Sequence, residues 1–344
     1  QLIKPLMSIS SSGSRIAVTG GAGFIGSHVT ELLIERGHDT VVIDDLSSGS
    51  FQNLMGVIDH PSVSIHQQDI CIRDGLEQLL EGCDAVIHLA GLADIVPSIE
   101  QPSRYYDVNV TGTLNLLEAA RSAGCKKIIY AASSTCYGIP KIYPTPETAK
   151  LSPQYPYALT KLLGEQLVLH WSQVYGIEAT SLRLFNVYGP RVRTTGTYGA
   201  VMGVFLSQRA NGQPLTIVGT GEQKRDFTHV KDVANAFVRA TELTCDNNVL
   251  NVGSGSSQSI NFLASLIGGP VVFIPKRPGE PDITFADTAL IKKALGWEAS
   301  VSLEKGVAEL LTDVADWESA PLWTEDSISK ATRNWFKLLG ARDA

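Results

Sequence analysis

The sequence lacks the features that mark several other classes of protein. Its apolar runs are too short to span a bilayer, and it has a net charge of −7 without a basic cluster, so neither a membrane protein nor a nucleic-acid-binding protein is expected. The five cysteines have no paired spacing and the seven histidines form no Cys/His cluster, which predicts neither disulfides nor a metal site. Reduced thiols, and the lack of a signal-peptide core in residues 1–14, predict a cytoplasmic location.

A glycine-rich turn near the start of the chain is the first functional motif. A predicted strand over 15–19 is followed by Gly-Gly-Ala-Gly-Phe-Ile-Gly at residues 20–26, by a predicted helix over 24–36 and by a second predicted strand over 40–44. This order of elements is typical of folds that bind dinucleotides.

Each glycine of this motif has a physical role in binding a pyrophosphate. Gly20 allows the tight turn, Gly23 lets the backbone approach the phosphates, and Gly26 permits close packing of helix on strand. Phe24 and Ile25 begin the helix, whose free N–H groups and positive dipole end would face the phosphates.

Asp44, at the end of the second strand, predicts which dinucleotide binds. Its carboxylate can accept hydrogen bonds from both hydroxyls of the adenosine ribose, and it would repel a 2′-phosphate. Asp45 follows it, and no arginine occurs between Asp44 and Phe51. The sequence therefore favours NAD over NADP as the cofactor.

Tyr157 and Lys161 form the candidate catalytic pair, with Ser133 upstream of them. Positions i and i+4 share one face of a helix, so the ammonium can lie close to the phenol. A nearby positive charge favours the phenolate and is expected to lower the pKa of Tyr157 towards neutrality. Such a tyrosine can take a proton from a sugar hydroxyl and return it.

Strands and helices alternate through the first half of the chain, which predicts a parallel sheet covered on both faces. The predicted fold class is α/β, a Rossmann-type doubly wound parallel sheet over residues 14–184 that binds NAD and receives helices from later in the chain. The predicted strands are 15–19, 40–44, 63–66, 85–89, 127–132 and 178–184, and the predicted helices are 24–36, 74–81, 103–123 and 155–175.

The pattern changes after residue 184, where Gly and Pro become frequent. Residues 185–315 are predicted to form a smaller α/β lobe that binds the substrate. Residues 316–344 form a tail with three tryptophans, Trp317, Trp323 and Trp335, and it is expected to pack onto the body. The elements predicted in the lobe are strands over 215–218 and 271–274 and helices over 199–211, 231–242, 259–267 and 302–315.

These motifs resemble those of the extended short-chain dehydrogenase/reductase family, specifically its nucleotide-sugar epimerases and dehydratases. The resemblance covers residues 14–315 and includes the active-site serine segment that begins at Ser133. It implies that Tyr157 and Lys161 contact the cofactor in addition to their catalytic roles. It also adds these residues to the NAD site: Asp69, Ile70, Leu89, Ala90, Gly91 and Asn109.

The same resemblance implies a UDP-sugar as the substrate. Arg225 and Arg277 would clamp its diphosphate, a task suited to guanidinium groups, and Glu280 would accept hydroxyls of the nucleotide ribose. The complete predicted substrate site is Ser133, Ser134, Thr135, Asn186, Arg191, Val218, Arg225, Arg277, Glu280 and Thr284.

By this resemblance the chain is expected to be an NAD-dependent 4-epimerase of a UDP-hexose or a UDP-N-acetylhexosamine. Tyr157 would remove the proton of the C4 hydroxyl while the C4 hydride passes to NAD⁺. Ser133 would hydrogen-bond the same oxygen, and Lys161 would hold the nicotinamide ribose. The 4-keto sugar would turn over and take the hydride back on its other face, so that NAD is regenerated in each turnover.

The residues at the active-site positions argue against three functions that occur in related proteins. Related 4,6-dehydratases carry an Asp-Glu pair directly after the position of Ser133, and related decarboxylases carry a Glu two positions after it. This chain has Ser134 and Thr135 there, and neither ionises usefully. Catalytically silent NAD-binding regulators typically lose the tyrosine or the lysine, whereas Tyr157 and Lys161 are both present.

The sugar itself depends on two further positions. Thr284 lies where epimerases limited to plain hexoses have a bulky residue, so it leaves room for an acetamido group, although it could equally serve packing alone. Arg191 resembles the arginine that binds the sugar carboxylate in uronate epimerases, which makes a UDP-glucuronate 4-epimerase the alternative. Ala93 replaces a lysine that galactose-pathway epimerases often have near the cofactor.

The helices predicted over 103–123 and 155–175 each carry an additional apolar stripe. In relatives the equivalent helices pack as a four-helix interface between two subunits, so the resemblance implies a homodimer. The residues of the stripes are Leu114, Leu117, Ala120, Leu159, Leu163, Leu167 and Val168.

Overall fold

A parallel sheet of seven strands lies at the centre of the protein, whose computed structural model describes residues 13–192, 200–246 and 248–340. Three short two-stranded sheets accompany it among these residues. In chain order the strands are β1 (Arg15–Thr19), β2 (Asp39–Asp44), β3 (Val63–Gln67), β4 (Ala85–His88), β5 (Lys127–Ser133), β6 (Glu178–Leu184), β7 (Val187–Tyr188), β8 (Leu215–Val218), β9 (Lys224–Asp226), β10 (Thr228–His229), β11 (Val249–Val252), β12 (Ser257–Ser259) and β13 (Val271–Ile274).

The strand order of the large sheet is β11-β6-β5-β4-β1-β2-β3, and every neighbouring pair is parallel. The order reverses between β1 and β4, and such a reversal opens a crevice at the carboxyl ends of the strands. The predicted Rossmann-type fold is therefore confirmed. The first six predicted strands agree with β1 to β6 within one residue at each end.

Helices cover the sheet and build the rest of the described structure. None of the described helices is long and apolar enough to cross a membrane. In chain order they are α1 (Phe24–Glu35), α2 (Leu76–Leu80), α3 (Ile95–Glu100), α4 (Pro102–Tyr106), α5 (Thr113–Ser122), α6 (Pro156–Tyr175), α7 (Val201–Ala210), α8 (Val230–Glu242), α9 (Ile260–Ile267), α10 (Ala289–Leu295), α11 (Leu303–Thr312) and α12 (Glu325–Leu339), with a π-helix at Asp107–Gly112 and 3₁₀ turns at Phe51–Leu54, Ser134–Tyr137 and Val314–Trp317.

The predicted helix over 103–123 consists of three consecutive segments. The π-helical segment separates α4 from α5, and the Thr113 hydroxyl donates a hydrogen bond to the Asn109 carbonyl oxygen at 2.7 Å beside it. A π-turn holds more residues than an α-turn, so the side chains beyond it face a different direction. A fixed period of 3.6 residues cannot predict that offset.

β11 enters the sheet from far beyond residue 184 and is absent from the predicted strands. It is short, and Asn251 interrupts its apolar residues. The Asn251 side chain is satisfied by tertiary contacts, because its amide donates to the Thr145 carbonyl oxygen at 2.9 Å and its oxygen accepts from the Tyr137 hydroxyl at 2.7 Å. α8 and α10 also pack in the core beside the sheet, as the predicted helical returns require, while the boundary at residue 184 stays a prediction.

A second core, formed by α7, α9, α11 and β8 with their neighbours, lies in the predicted substrate lobe; it includes Phe205, Leu263 and Val307. The helices and strands predicted after residue 184 are found, although α8, which was predicted in the lobe, packs in the core of the large sheet. α7 begins at Val201, where the prediction began at residue 199, which lies outside the described residues. The tail packs on this core through Trp317 and Ile328. Its helix α12, like α3 and α10, is absent from the prediction.

A buried ion pair fixes α6, the helix that carries Tyr157 and Lys161. Arg183 of β6 donates to both carboxylate oxygens of Glu165, from Nη2 at 2.6 Å and from Nε at 3.0 Å. Arg183 Nη1 also donates to the Tyr137 hydroxyl at 2.9 Å. Two-point pairing of this kind fixes orientation as well as distance, so the pair sets the rotation of α6 against the sheet.

Candidate active site

A cavity of about 530 Å³ lies along the carboxyl ends of β1, β2, β4 and β5, in the crevice where the strand order reverses. Fourteen of the fifteen predicted NAD residues line it, and Asn109 is the exception. Those that line it are Gly20, Gly23, Phe24, Ile25, Gly26, Asp44, Asp45, Asp69, Ile70, Leu89, Ala90, Gly91, Tyr157 and Lys161.

The glycine-rich turn has the geometry that the motif predicts. Gly20 has a φ of +69°, and a Cβ on it would lie 2.7 Å from the backbone nitrogen of Ala90. A Cβ on Gly26 would overlap the carbonyl oxygen of Gly20. Only glycine fits these two positions, because the first needs a left-handed backbone and the second needs helix and turn in direct contact.

Asp44 is held at the floor of this cavity by the backbone. Its carboxylate accepts hydrogen bonds from the N–H groups of Ala22 and Leu46, both at 2.9 Å. Burial raises the pKa of Asp44, and these two hydrogen bonds oppose the rise. Since each carboxylate oxygen has a further lone pair, Asp44 retains the capacity to accept from a ribose.

Asn109 supports the cavity wall and does not line the cavity, so the structure differs here from the predicted cofactor contact. Its side chain accepts from the Leu92 N–H at 2.8 Å and donates to the Leu92 carbonyl oxygen at 3.0 Å. It also donates to the Thr160 hydroxyl at 3.0 Å. Asn109 thereby ties the loop after β4 to α6, next to Lys161.

Tyr157 and Lys161 both face the cofactor cavity from α6, as their spacing predicts. The expected fall of the Tyr157 pKa towards neutrality is not found. Although part of its ring faces the cavity, Tyr157 is surrounded by protein, and this burial raises its pKa. Burial also lowers the pKa of Lys161 to about 7. Desolvation disfavours the charged form of both groups, and it is the largest cause of each shift.

Two neighbours hold Tyr157 in place: Tyr155 lies against its ring, and Ser133 lies at its hydroxyl. A hydrogen bond from Ser133 lowers the pKa of Tyr157 against the effect of burial. The Ser133 hydroxyl is also 2.8 Å from the hydroxyl of Thr135. The ring of Tyr155 stacks on the ring of Tyr157 with centroids 6.4 Å apart and planes 9° apart. The phenol is therefore fixed in position by both a polar and an aromatic contact.

A second cavity, of about 470 Å³, adjoins the first, and Tyr157 lines both. Phe24, Ile25 and Leu184 are also shared between them. Nine of the ten predicted substrate residues line this second cavity, which we call the sugar cavity. They are Ser133, Ser134, Thr135, Asn186, Val218, Arg225, Arg277, Glu280 and Thr284.

Glu280 bridges the two arginines that are predicted to clamp the diphosphate. Its carboxylate accepts from Arg277 Nη1 at 3.1 Å and lies 3.7 Å from Arg225 Nη2. At another part of the wall, the Thr284 hydroxyl donates to the side-chain oxygen of Asn186 at 2.8 Å. Cationic and neutral hydrogen-bonding groups thus occupy distinct parts of the wall of the sugar cavity.

Arg191 lies outside the residues that line either cavity. It has a φ of +66°, and its Nη2 donates to Glu31 of α1 at 2.7 Å. The structure therefore engages Arg191 with a carboxylate of the protein, while the next residue, Val192, lines the sugar cavity.

Several residues that line the sugar cavity are absent from the sequence prediction, and two of them, Asp94 and Trp335, bear on its function. Asp94 lies in the loop after β4, and its charge raises the pKa of Tyr157. Trp335 comes from the C-terminal helix α12. The strand-end position of Asp94 could have indicated it, since loops after parallel strands carry sites. No local pattern places a residue so late in the chain at the cavity.

Comparisons with known proteins agree with this geometry. Residues 16–253 match the model of the NAD dependent epimerase/dehydratase family. A putative UDP-glucose 4-epimerase of Methanocaldococcus jannaschii is 36% identical over 306 residues, which cover 86% of this chain and 97% of that protein.

Two solved structures are similar over most of the chain. One is a UDP-N-acetylglucosamine 4-epimerase from Methanobrevibacter ruminantium in complex with UDP-N-acetylmuramic acid, 33% identical with a TM-score of 0.82, covering 88% of this chain and 99% of that one. The other is a UDP-glucuronic acid 4-epimerase from Bacillus cereus in complex with UDP-glucuronic acid and NAD, 30% identical with a TM-score of 0.81, with the same coverage of 88% and 99%.

Proposed function

The chain belongs to the NAD dependent epimerase/dehydratase family, and on that premise we propose that it epimerises C4 of a UDP-sugar with bound NAD. The observation that carries this proposal is the position of Tyr157 where the cofactor and sugar cavities meet, with Ser133 on the wall of the sugar cavity. A phenol at that junction can reach a sugar hydroxyl whose carbon faces the cofactor.

The cofactor cavity fits NAD in three respects. The backbone of Gly23 and the start of α1 offer N–H groups to a pyrophosphate, Gly20 and Gly26 leave room for the turn to close, and Asp44 can accept from the adenosine ribose. When bound, NAD⁺ supplies the acceptor for the C4 hydride and, once reduced, its donor on return.

Tyr157 moves the proton in this mechanism. It takes the proton of the C4 hydroxyl as the carbonyl forms and gives it back as the hydride returns, while Ser133 holds the same oxygen. Burial opposes a lone phenolate and a lone ammonium alike, so each charge is more stable when the other is present. Lys161 therefore supports the phenolate form without lowering the Tyr157 pKa to neutrality by itself.

We propose a neutral hexose or N-acetylhexosamine as the sugar, with UDP-glucuronate as the alternative. Arg191, the residue that favours the uronate, pairs with Glu31 and is absent from the lining of the sugar cavity. Asp94 lines that cavity and already exerts a negative charge on Tyr157, to which a sugar carboxylate would add a second. The Thr284 hydroxyl and Asn186 offer neutral partners for an acetamido group.

A panel of UDP-sugars followed by NMR tests this choice. We expect the gluco and galacto isomers to interconvert, with or without a 2-acetamido group, and UDP-glucuronate to react at least about tenfold more slowly, because like charges brought together cost several kcal/mol. Arg191→Ala should leave kcat/KM for the neutral sugars within about threefold, since a partly exposed ion pair contributes about 1 kcal/mol or less.

Two results would change the assignment. The uronate alternative would be established if the unaltered protein preferred UDP-glucuronate and if Arg191→Ala lost activity on UDP-glucuronate but kept its activity on the neutral sugars. If no UDP-sugar changes configuration at C4, the protein is a silent NAD-binding regulator or acts on another class of substrate.

We also propose a homodimer in which α5 and α6 pair with their copies. Leu117, Ala120 and Val168 of the predicted stripes are buried within the chain. Leu159 of α6 is 46% exposed, and Tyr106 of α4, a helix that contacts α6, is 50% exposed. The exposed part is the candidate interface. Light scattering at micromolar concentration should give twice the 37.0 kDa chain mass, and a single species at the chain mass would rule the dimer out.

The predicted cytoplasmic location also remains a proposal. Its support is that all five cysteines are free thiols in the structure, which is typical of reducing compartments. Fractionation of cells that produce the protein tests it.

A further inference from the structure

The C-terminal helix α12 is anchored on both sides of the sugar cavity. Its first turn is closed by reciprocal hydrogen bonds between Thr324 and Ser327, and Ile328 is buried in the second core. Further along, the Asn334 amide donates to Glu100 of α3 at 3.1 Å. The helix therefore joins the substrate lobe to α3, the helix that follows β4.

Trp335 is the residue by which α12 reaches the cavity wall. Its side chain is 2% exposed, and its indole N–H donates to the Pro278 carbonyl oxygen at 2.8 Å. The Arg277 guanidinium carbon lies 5.6 Å from the centre of the Trp335 ring. On the other side, the Tyr155 ring is 6.4 Å away.

We propose that Trp335 is a positioning residue of the UDP-sugar site, which holds Arg277 in place for the diphosphate. This rests on the proposed function, because Arg277 has that role only if a nucleotide diphosphate binds. The indole ring faces the Arg277 guanidinium, and the indole N–H holds the carbonyl group of Pro278, the residue after Arg277. Both the guanidinium and the backbone next to Arg277 are therefore restrained.

The physical gain is preorganisation. A free arginine side chain has many rotamers, and fixing them on binding costs affinity. A cation held at an aromatic face is attracted by the charge distribution of the ring, and the Glu280 carboxylate restrains the same guanidinium from another direction. Arg277 is therefore ordered before the ligand arrives. Among the ring contacts of the described residues, Trp335 reaches Tyr157 through the Tyr155 ring, so its effect should fall mainly on binding.

The test compares two substitutions that both keep an apolar side chain at position 335. Trp335→Phe keeps an aromatic face, whereas Trp335→Leu does not. We expect Trp335→Leu to raise the Kd of UDP, measured by calorimetry, and the KM of the UDP-sugar about tenfold, with kcat and NAD content within twofold of the unaltered protein. Trp335→Phe should stay within about threefold. Phe336→Ala is the matched control, because Phe336 is the next residue of α12, is 38% exposed and does not line the cavity.

Arg277 must carry the effect if the proposal is right. In Arg277→Ala the additional substitution Trp335→Leu should change the Kd of UDP by less than twofold, because the group that it positions is gone. Three results would overturn the proposal: less than a threefold change in Trp335→Leu, equal weakening by Trp335→Leu with and without Arg277, or loss of kcat and NAD content along with UDP affinity. If the unaltered protein binds no UDP, the proposed substrate class fails as well, whereas the first three results leave it intact.

Discussion

Tyr157→Phe is expected to lower kcat for C4 epimerisation by about 10²–10⁴-fold, the range that a positioned proton-transfer group contributes. The substitution removes the only atom of the side chain that can exchange a proton with the C4 hydroxyl. It keeps the ring, so the stacking on Tyr155 and the shape of both cavities remain. Steady-state kinetics with the preferred UDP-sugar measures the effect.

Binding should survive in this variant. NAD content and the Kd of UDP are expected within about twofold of the unaltered protein. The reason is that the phenol oxygen acts in proton transfer and contributes little to binding in the ground state. Tyr175→Phe is the control, since Tyr175 lies at the exposed end of the same helix α6. A Tyr157→Phe protein with kcat within tenfold of the original would show that another group moves the proton.

Gly26→Ala is expected to weaken NAD binding by about a hundredfold. The added Cβ would overlap the carbonyl oxygen of Gly20 and lie 2.7 Å from the Cα of Gly21. Overpacking typically costs about 1–3 kcal/mol, and the upper end applies because backbone atoms cannot rotate away as a side chain can. The turn must open, which displaces the N–H groups that would face the pyrophosphate. Absorbance of the purified protein and titration with NAD measure the loss.

Gly203→Ala is the matched control for the glycine turn. Gly203 lies in α7, and a Cβ there would lie 3.4 Å from the Trp317 ring, an ordinary contact. Alanine also favours a helix interior over glycine, so stability should be kept. If Gly26→Ala were purified with its full complement of NAD, the cofactor would not bind along this turn.

The fold and the cofactor cavity follow largely from local sequence signals. A glycine that needs a positive φ, as Gly20 does, and an acid at a strand end, as Asp44 is, depend mainly on their own segment and its neighbour. The same holds for the spacing of Tyr157 and Lys161 on one helix face. Such features are visible in a short stretch of residues.

The departures arise where distant segments meet. The direction in which the Tyr157 pKa shifts depends on burial by the whole fold, and not on the spacing between Tyr157 and Lys161 alone. Asn109 supports the wall because a π-turn sets the direction of its side chain. Arg191 pairs with Glu31 of α1, which lies 160 residues earlier in the chain.

Trp335 illustrates the limit most clearly. The tryptophan-rich tail predicts packing, and the packing is found, but neither its helix nor its place at the cavity can be read from residues 316–344 alone. α12 reaches the sugar cavity only because its apolar side fits the second core. Tertiary structure thus brings a residue near the end of the chain to the site.

The central claim is that a hydride leaves C4 and returns to C4 within one closed site. UDP-glucose that carries deuterium at C4 tests this claim. In ordinary water, with C4 followed by NMR, we expect UDP-galactose that retains the deuterium at C4, because the label is held on the cofactor between the two transfers. Washout of the label into solvent, or the absence of any galacto product from the panel's sugars, would contradict the mechanism.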